Sequence, residues 1–310
     1  MIMKAPDLTV KLGHLKLKNP VIAASGTFGY GTELKNMVDI NRLGGVITKT
    51  ITLKPRLGNP PPRICETSGG VLNSIGLENP GLDEFISHYL PSFTRLKTIR
   101  IVSIGGDADE LPIIAKKLSA KKGIDALEIN ISCPNIVKSC PMIATSPLLV
   151  KSAIKKVRKA TRLPLIVKLS PNVTDITVIA EAAYSSGADI ISLINTITAL
   201  AVDWRSGKPL IGNITGGLSG PCIKPIALRM VWEVAKKVKV PIIGIGGVME
   251  ASDVLEFMTV GASAVAVGTA NIISPDNALK IIGELPKLLK EENIPSISRL
   301  IGTIRTRPED

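Results

Sequence analysis

Eight short apolar runs recur along the chain and restrict its fold more than any other feature. Each run is rich in β-branched residues and ends in a small or polar residue, and helical patterns separate most of them. Near-continuous apolar runs are typical of parallel strands buried on both faces. The alternation therefore predicts an α/β fold built on a parallel sheet. The runs begin at Val21, Val46, Ile101, Ala126, Leu165, Ile190, Ile242 and Ala264.

The segments between the runs carry helical periodicity and recognisable helix starts. Ser146-Pro147 places Pro at the first helical position, and Ser252-Asp253 and Ser274-Pro275 indicate similar starts. The predicted helices cover about residues 110–121, 147–160, 175–186, 224–237, 251–260 and 276–290.

Two architectures fit alternating βα units: a closed (β/α)8 TIM barrel and a doubly wound sheet of the Rossmann type. The doubly wound sheet is disfavoured because no Gly-x-Gly-x-x-Gly opens a helix after the first strand. The chain of 310 residues could hold two domains, but a single barrel commonly reaches this length. We therefore predict one (β/α)8 barrel domain over residues 1–310.

Two additions to this barrel are predicted. The segments 8–12 and 15–18 are typical of a β-hairpin, which we expect at the bottom of the barrel. The connections 50–100 and 195–241 are longer than usual and rich in Gly, Pro and Asn. We expect them to form long active-site loop insertions.

The charge balance leaves several classes of partner open. Lys and Arg outnumber Asp and Glu by 38 to 26, and 45% of the residues are hydrophobic, which excludes a disordered chain. The basic residues are spread in pairs over helical segments, and aromatic residues make up only 3%. A nucleic-acid surface would need clustered charge with stacking aromatics, so we expect no nucleic acid. An anionic small substrate or an acidic partner protein remains compatible with the charge.

The remaining composition indicates a cytoplasmic protein. The longest uncharged apolar stretch, 190–202, is too short to span a bilayer, and the N-terminal residues lack a signal-peptide pattern. The four cysteines, Cys65, Cys133, Cys140 and Cys222, are too scattered for a disulfide scaffold or a metal motif. We therefore expect no membrane association and no metal, and any iron–sulfur centre would lie on another chain.

Active sites of (β/α)8 enzymes lie at the carboxyl ends of the strands, so the residues that end each run are site candidates. An ammonium group buried there costs several kcal/mol unless an anion compensates it. Lys49 and Lys168 are therefore expected to face an anionic ligand, or else to reach solvent or pair with an acid such as Glu128. In chain order the candidates are Ser25, Lys49, Ser103, Asn130, Lys168, Asn195, Gly246-Gly247 and Gly268-Thr269.

The glycines after the last two runs point to a phosphate group. Gly246-Gly247 and Gly268-Thr269 leave backbone N–H groups free of side-chain cover at the usual phosphate position of this architecture. The alternative is that both pairs only make tight turns.

Amide and thiol side chains form a second signal. Asn73, Asn130 and Asn195 offer donors and acceptors that suit a flat ring with alternating C=O and N–H groups, although a single Asn is more often a turn residue. Cys133 lies on a loop stiffened by Pro134, where a thiol can act as nucleophile or general base. The other three cysteines, His14 and His88 are expected to be structural.

Five segments of the chain together carry a family resemblance: Ala24–Gly31, Leu72–Gly81, Asn130–Asn135, Val167–Asn172 and Thr215–Pro221. In this order, from about residue 8 to residue 275, the chain resembles the class 1B dihydroorotate dehydrogenases. The stretch 73–77 and the last segment favour this class over the fumarate-using class 1A. Cys133, where the quinone-using class 2 has Ser, and the lack of a membrane extension at the N-terminus disfavour class 2.

The resemblance implies FMN-dependent oxidation of dihydroorotate to orotate in de novo pyrimidine (UMP) biosynthesis. Cys133 would remove the C5 proton while a hydride passes from C6 to FMN. A partner subunit with FAD and a [2Fe–2S] cluster would relay electrons to NAD⁺, within a homodimer or a dimer of heterodimers. The implied substrate-binding residues are Lys49, Asn73, Ser74, Ile75, Gly76, Leu77, Asn130, Asn195 and Thr196. The implied FMN-binding residues, for one FMN per chain, are Ser25, Lys49, Thr50, Asn130, Lys168, Ile194, Gly220, Gly246, Gly247, Gly268 and Thr269.

One position departs from the family pattern, and other functions stay open. Ser103 stands where the family usually has Asn, so a flavin or substrate contact there is in question, and a water could replace the amide. The alternatives are a flavin barrel acting on another pyrimidine ring, like dihydropyrimidine dehydrogenase, and one acting on RNA, like dihydrouridine synthase. A non-catalytic scaffold is disfavoured because nothing structural requires lysines and amides at so many strand ends.

Overall fold

The computed structural model describes residues 5–131 and 143–305. Within them, eight parallel strands close into one barrel in the order β10-β15-β16-β3-β4-β7-β8-β9, which confirms the predicted (β/α)8 architecture. The strands of the described chain are β1 (Val10–Leu12), β2 (Leu15–Leu17), β3 (Val21–Ala23), β4 (Gly45–Ile47), β5 (Ile64–Thr67), β6 (Gly70–Asn73), β7 (Ile99–Ile104), β8 (Ala126–Asn130), β9 (Leu165–Lys168), β10 (Ile190–Leu193), β11 (Ile197–Ala199), β12 (Val202–Asp203), β13 (Lys208–Pro209), β14 (Gly216–Ser219), β15 (Ile242–Ile245) and β16 (Ala264–Val267).

The barrel strands are buried along almost their whole length. Every residue of β9, β10, β15 and β16 is buried, because helices cover the outer face and side chains fill the interior. The barrel closes between its last and first strands, where the backbone N–H of Ala24 donates to the carbonyl of Val267 at 3.0 Å. All eight apolar runs therefore become barrel strands.

The six predicted helices are confirmed to within two residues at either end. Between α1 and α2 the chain makes a π-helical turn, Phe85–Tyr89, and short 3-10 turns occur at Ile40–Arg42, Ile143–Thr145, Pro221–Ile223 and Ile297–Leu300. Among the described residues, no helix is long and apolar enough to cross a bilayer. The helices are α1 (Leu82–Glu84), α2 (Leu90–Phe93), α3 (Glu110–Ser119), α4 (Pro147–Ala160), α5 (Ile176–Tyr184), α6 (Lys224–Ala235), α7 (Ala251–Thr259), α8 (Thr269–Ile273) and α9 (Asn277–Glu291).

One of the three predicted helix starts is confirmed. Ser146 caps α4, since its side chain accepts a hydrogen bond from the backbone N–H of Leu149 at 3.4 Å. The other two are wrong by one or two residues. Helix α7 is capped by Glu250, so Ser252 lies inside its first turn, and α9 is capped by Asp276, so Ser274-Pro275 precedes it.

The predicted hairpin is confirmed as the antiparallel pair β1–β2. Leu12 and Leu17 are fully buried in the core. The adjoining Lys18 donates through Nζ to the carbonyls of Asn41 at 2.7 Å and Lys97 at 2.9 Å, and both residues precede barrel strands. The hairpin therefore covers the amino-terminal face of the barrel, opposite the expected site.

The two long connections form a sheet rather than irregular loops. Strands β5 and β6 from the first connection and β11 and β14 from the second pair in the order β11-β14-β6-β5, all antiparallel. Asn73 in β6 lies opposite Gly217 in β14. Since β11 begins two residues after Asn195, this sheet lies at the carboxyl ends of the barrel strands.

Candidate functional site

Five polar side chains from five barrel strands form one hydrogen-bonded chain at the barrel mouth. Ser25 Oγ lies 3.4 Å from Thr50 Oγ1, which lies 3.0 Å from Ser103 Oγ. Asn130 Nδ2 donates to Thr50 Oγ1 at 3.4 Å, and Asn195 Nδ2 donates to Asn130 Oδ1 at 3.4 Å. We call this group the mouth cluster. The structure thus brings together strand-end residues that lie far apart in sequence.

Ser103, where the family pattern has Asn, belongs to the mouth cluster. Its side chain is fully buried, and its hydroxyl is directed to Thr50. Its backbone N–H donates to Thr48 Oγ1 at 3.0 Å. The shorter side chain therefore makes its contact with a hydroxyl of the protein itself.

The two candidate lysines have different surroundings. Lys168 is only 7% exposed and lies level with Asn130 on one side and Ser192 on the other in the strand register. Lys49 is half-buried, and its Nζ lies 3.6 Å from Glu78 Oε2. The acid beside Lys49 is therefore Glu78, whereas Glu128 lies in the barrel interior.

The sheet above the barrel holds the next group of predicted residues. Asn73 Nδ2 donates to the carbonyl of Gly217 at 3.1 Å, which ties β6 to β14. Ser74 is buried, and its Oγ accepts from Nδ2 of Asn59 at 2.7 Å and of Asn213 at 3.2 Å. These amides hold the segment after β6 in place.

The segment Ile75–Leu77 is fixed mainly through its backbone. The carbonyl of Ile75 accepts from the N–H of Asn59 at 3.0 Å. Gly76 has φ +76°, and a Cβ there would lie 2.6 Å from the nitrogen of Asn59, so only glycine fits. Leu77 also has a positive φ, and its carbonyl accepts from Asn79 Nδ2 at 2.7 Å.

Thr196 joins the mouth cluster through backbone contacts. Its N–H donates to Asn195 Oδ1 at 2.8 Å, and its carbonyl accepts from Asn172 Nδ2 at 3.0 Å. Asn172 Oδ1 also accepts from the N–H of Thr198 at 2.9 Å. Asn172 was absent from the predicted site, although its place in the segment directly after β9 was a usable signal.

Gly246, Gly247 and Gly268 follow β15 and β16, and we call them the glycine stretch. Gly247 has φ +74°, and a Cβ there would lie 2.7 Å from Lys224 Cβ. Gly246 also has a positive φ and lies beside the buried Ile194. At Gly268, in contrast, a Cβ would meet only Ala24, at 3.9 Å. Of the three glycines, Gly268 is therefore the one with open space beside its α-carbon.

The glycine stretch is joined to the sheet above the barrel. Thr269 Oγ1 donates to Ser219 Oγ at 2.9 Å. Gly220 has φ +107°, and a Cβ there would lie 2.7 Å from Gly70 Cα. Sequence reasoning did not select Ser219 or Glu78 as site residues, although both fall within segments that carried the family resemblance.

Both histidines and the two described cysteines lie outside the mouth cluster. Cys133, the predicted base, falls outside the described residues. His14 is exposed in the hairpin turn, and the side chain of His88 is 76% exposed and lies 3.3 Å from Glu84, so both are surface residues. Cys222 is exposed and Cys65 partly so. Over the described ranges, no group of three or more His, Cys, Asp or Glu side chains could hold a metal ion.

One groove in the described part of the chain lies away from these residues. About 520 Å³ in volume, it runs between α6, α7 and α9 and is lined chiefly by apolar side chains such as Leu228, Leu255 and Leu288. It includes none of the predicted site residues. The site is therefore defined by the mouth cluster and its surroundings.

A closed (β/α)8 barrel with polar side chains gathered at the carboxyl ends of its strands defines the class of barrel enzymes. Comparison with known proteins narrows the class. The family model described as dihydroorotate dehydrogenase matches residues 7–289, and the chain belongs to this family of oxidoreductases. The resemblance seen in the sequence is thus confirmed.

Several similar curated proteins share one description, dihydroorotate dehydrogenase B (NAD(+)), catalytic subunit. The protein from Trichlorobacter lovleyi is 50% identical over 300 residues, covering 96% of this chain and 99% of the relative. That from Thermodesulfovibrio yellowstonii is 49% identical over 301 residues, covering 97% and 99%. That from Geobacter sp. (strain M21) is 48% identical over 303 residues, again covering 97% and 99%.

Proposed function

We propose that this chain is a cytoplasmic catalytic subunit that oxidises dihydroorotate to orotate with FMN, in de novo pyrimidine biosynthesis. The observation that carries the proposal is the mouth cluster, which presents hydroxyl and amide groups from five strands at the site of a barrel in the dihydroorotate dehydrogenase family. The shared description of the relatives supports the same reaction.

The residues present fit an FMN. Backbone at Gly246, Gly247 and Gly268 has no side chain to hinder a phosphate, and at Gly268 the open side would take a phosphate oxygen. The buried ammonium of Lys168 suits a ring that gains negative charge on reduction. Bound FMN would supply the acceptor for the hydride that leaves C6 of dihydroorotate. We assign Ser25, Lys49, Thr50, Asn130, Lys168 and Ile194 to the ring, and Gly220, Gly246, Gly247, Gly268 and Thr269 to the phosphate side.

The same mouth offers partners for dihydroorotate. The substrate carries a carboxylate and ring amides, which call for a cation and for paired donors and acceptors. Lys49 supplies the cation, and its contact with Glu78 keeps its ammonium at the mouth. The ring amides are assigned to Asn73, Asn130, Asn195 and Thr196 and to the backbone of residues 74–77.

Cys133 is assigned as the base that removes the C5 proton. Cys133→Ala should abolish turnover and leave FMN bound, whereas Cys222→Ala, at an exposed thiol, should keep full activity. Normal turnover by Cys133→Ala would show that Cys133 is not the base.

The proposed reaction is tested by anaerobic titration of the purified, FMN-loaded chain. Dihydroorotate should bleach the flavin absorbance at one equivalent per chain, and dihydrouracil and transfer RNA should not. Bleaching by dihydrouracil or by RNA in place of dihydroorotate would favour the corresponding alternative. A colourless protein that cannot be reconstituted with FMN would refute the proposal.

We further propose a partner subunit that carries FAD and a [2Fe–2S] cluster, with this chain in a homodimer or a dimer of heterodimers. Support comes from the words "catalytic subunit" and "NAD(+)" in the relatives' description. The isolated chain should reduce NAD⁺ poorly and gain that activity when its partner is added. Efficient NAD⁺ reduction by the chain alone would contradict this arrangement.

A further inference from the structure

Glu128 is a fully buried carboxyl group in the barrel interior that the proposed reaction does not use. Its Oε2 accepts a hydrogen bond from Ser192 Oγ at 3.3 Å. Its Oε1 is buried and accepts no hydrogen bond from any group in the described part of the chain. A buried carboxylate costs several kcal/mol unless a positive charge and hydrogen bonds compensate it. Glu128 therefore calls for a nearby cation.

The strand register places Lys168 on the same interior face as Glu128. Asn130 in β8, Lys168 in β9 and Ser192 in β10 lie level with one another, so their side chains point to the same face. Ser192 and Glu128 lie on strands that are separated by β9, so their hydrogen bond crosses the barrel and this face is the interior. Glu128 precedes Asn130 by two residues and points to the same face one step further from the mouth.

Layering in the barrel places Glu128 beneath Lys168, one step further from the mouth. Inward side chains from alternate strands share a layer, and Glu128 and Ser192 come from β8 and β10. Lys168 comes from β9, the strand between them, and is only 7% exposed. The bond between Glu128 and Ser192 therefore passes under the lysine, in a region where charges interact strongly.

We infer that Glu128 is a positioning residue that acts through Lys168: its negative charge lies beneath the ammonium, balances it and directs it to the flavin ring. The inference rests on the proposed FMN site. With both charges present, the net charge beneath the ring is close to zero. Lys168 is the nearer of the two to the ring, so it still interacts with a ring that becomes anionic. Without Glu128, the net charge beneath the ring would be more positive by one unit, which would favour the anionic forms of the flavin.

Sulfite measures this charge directly, because it adds reversibly to flavin N5 and leaves a negative charge on the ring. The sulfite dissociation constant of the FMN-loaded protein is read from the loss of flavin absorbance, and the reduction potential is measured alongside it. Glu128→Gln keeps the shape and the partner Ser192 but removes the charge. It should tighten sulfite binding by about tenfold or more and raise the potential.

Glu128→Asp is the matched control, since it keeps the charge and changes the shape. It should bind sulfite within about threefold of the wild type, and its main effect should be a lower thermal midpoint, because it leaves a cavity. Unchanged sulfite binding in folded Glu128→Gln would overturn the inference. So would an aspartate variant that shifts sulfite binding as far as the glutamine variant, because shape and not charge would then matter.

Two further results keep the test decisive. If Glu128→Gln does not fold, adding Lys168→Met should restore folding, because the interior then holds neither charge. A double variant that stays unfolded would count against the inference. A wild-type protein that takes up no FMN would instead refute the proposed function, so the two failures are distinguishable.

Discussion

Thr50 holds the mouth cluster together. Its single hydroxyl lies within hydrogen-bond distance of Ser25, Ser103 and Asn130, from three other strands. Thr50 is 5% exposed and Ser103 fully buried, so water does not readily replace a lost contact. The cluster therefore depends on Thr50 for stability as well as for the shape of the site.

Thr50→Val, which replaces the hydroxyl by a methyl group of similar size, should lower the free energy of unfolding by about 1–3 kcal/mol. The cost arises because the buried hydroxyl of Ser103 is left without its partner. Urea denaturation measures the effect. Thr303→Val, at an exposed threonine whose hydroxyl donates to Leu300, should change stability by less than about 0.5 kcal/mol. An equal loss in the two variants would contradict the role of Thr50.

Gly268 allows the phosphate assignment to be tested without disturbing the fold. A Cβ at this position would meet only Ala24, at 3.9 Å, so Gly268→Ala should leave the thermal midpoint unchanged. The methyl group would occupy space assigned to the phosphate, so the FMN dissociation constant should rise by about tenfold or more, as measured by flavin fluorescence. Gly283→Ala adds the same methyl group in open space on α9 and should bind FMN normally. Undiminished FMN binding by Gly268→Ala would place the phosphate elsewhere.

Some of these residue contacts follow from the sequence and others do not. Ser25, Asn130 and Asn195 could be grouped in advance, because the carboxyl ends of parallel strands meet at one face of a barrel. The contact between Thr50 and Ser103 joins residues 53 positions apart and depends on strand register and rotamer. The pairing of Lys49 with Glu78 depends on the path of a long connection in the same way.

Two outer helices brace the glycine stretch. Lys224, the first residue of α6, binds Asp253 of α7 at 2.5 Å and Glu256 at 2.9 Å. Asp253 is 3% exposed and also accepts from the N–H of Met249 at 2.7 Å. Because Lys224 packs where a Cβ of Gly247 would be, this ion pair fixes the backbone just after β15.

Lys224→Met should lower the free energy of unfolding by about 1.5–3 kcal/mol, because the nearly buried carboxylate of Asp253 loses a charged partner. It should also weaken FMN binding, since the loop after β15 is less firmly held. Chemical denaturation and FMN titration measure the two effects. The control is Lys280→Met, at an exposed lysine 2.9 Å from Asp276, which should change neither value appreciably. Full stability of Lys224→Met would show that the pair does not brace the loop.

At the level of whole strands and helices, the barrel was predictable and the sheet above it was not. The barrel strands are continuous apolar runs, and each of the six longer helices carries its own periodicity, so local sequence specifies both. Strands β5, β6, β11 and β14 have three or four residues each, and two of them begin with glycine. They are held by partners as distant as Asn73 and Gly217, 144 positions apart. No local pattern signals such a pairing.

The two ends of the barrel differ: the amino-terminal face is covered, and the opposite face carries the site. The β1–β2 hairpin closes the amino-terminal face with buried leucines, while the four-stranded sheet builds up the face that carries the mouth cluster. The hairpin and the site residues therefore lie at opposite ends of the barrel. We expect the free energy of unfolding to fall at both ends of the pH range, along an acid limb and an alkaline limb that depend on different groups.

The acid limb is set by exposed carboxylates. Hydrogen bonds from Thr177, Ser206 and Ser274 lower the pKa values of Asp175, Asp203 and Asp276 below the ordinary 3.8. A lowered pKa in the folded state contributes stability above the ordinary value that is lost as the pH falls through the lowered values. This limb should therefore lie below about pH 4.

The alkaline limb is set by Tyr30 and Lys224. Burial, followed by the neighbouring Tyr89, raises the pKa of Tyr30, whose hydroxyl has no hydrogen-bond partner among the residues described. Burial opposes the charged form of Lys224, but hydrogen bonds with Asp253 and Glu256 outweigh it and raise the pKa of Lys224 above the ordinary 10.5.

In both cases the folded protein holds the proton more tightly than the unfolded chain, so stability is complete below about pH 10 and falls as the pH rises further. Tyr30→Phe removes the ionisable group together with an unpaired buried hydroxyl. It should raise the free energy of unfolding at pH 7 by about 1 kcal/mol and make its decline between pH 9.5 and about pH 11 shallower. Urea midpoints measured at half-unit steps of pH test this, with the acid limb as the internal reference because Tyr30 is neutral there. An alkaline decline as steep as that of the wild type would show that the phenol of Tyr30 ionises equally readily in the folded and unfolded states.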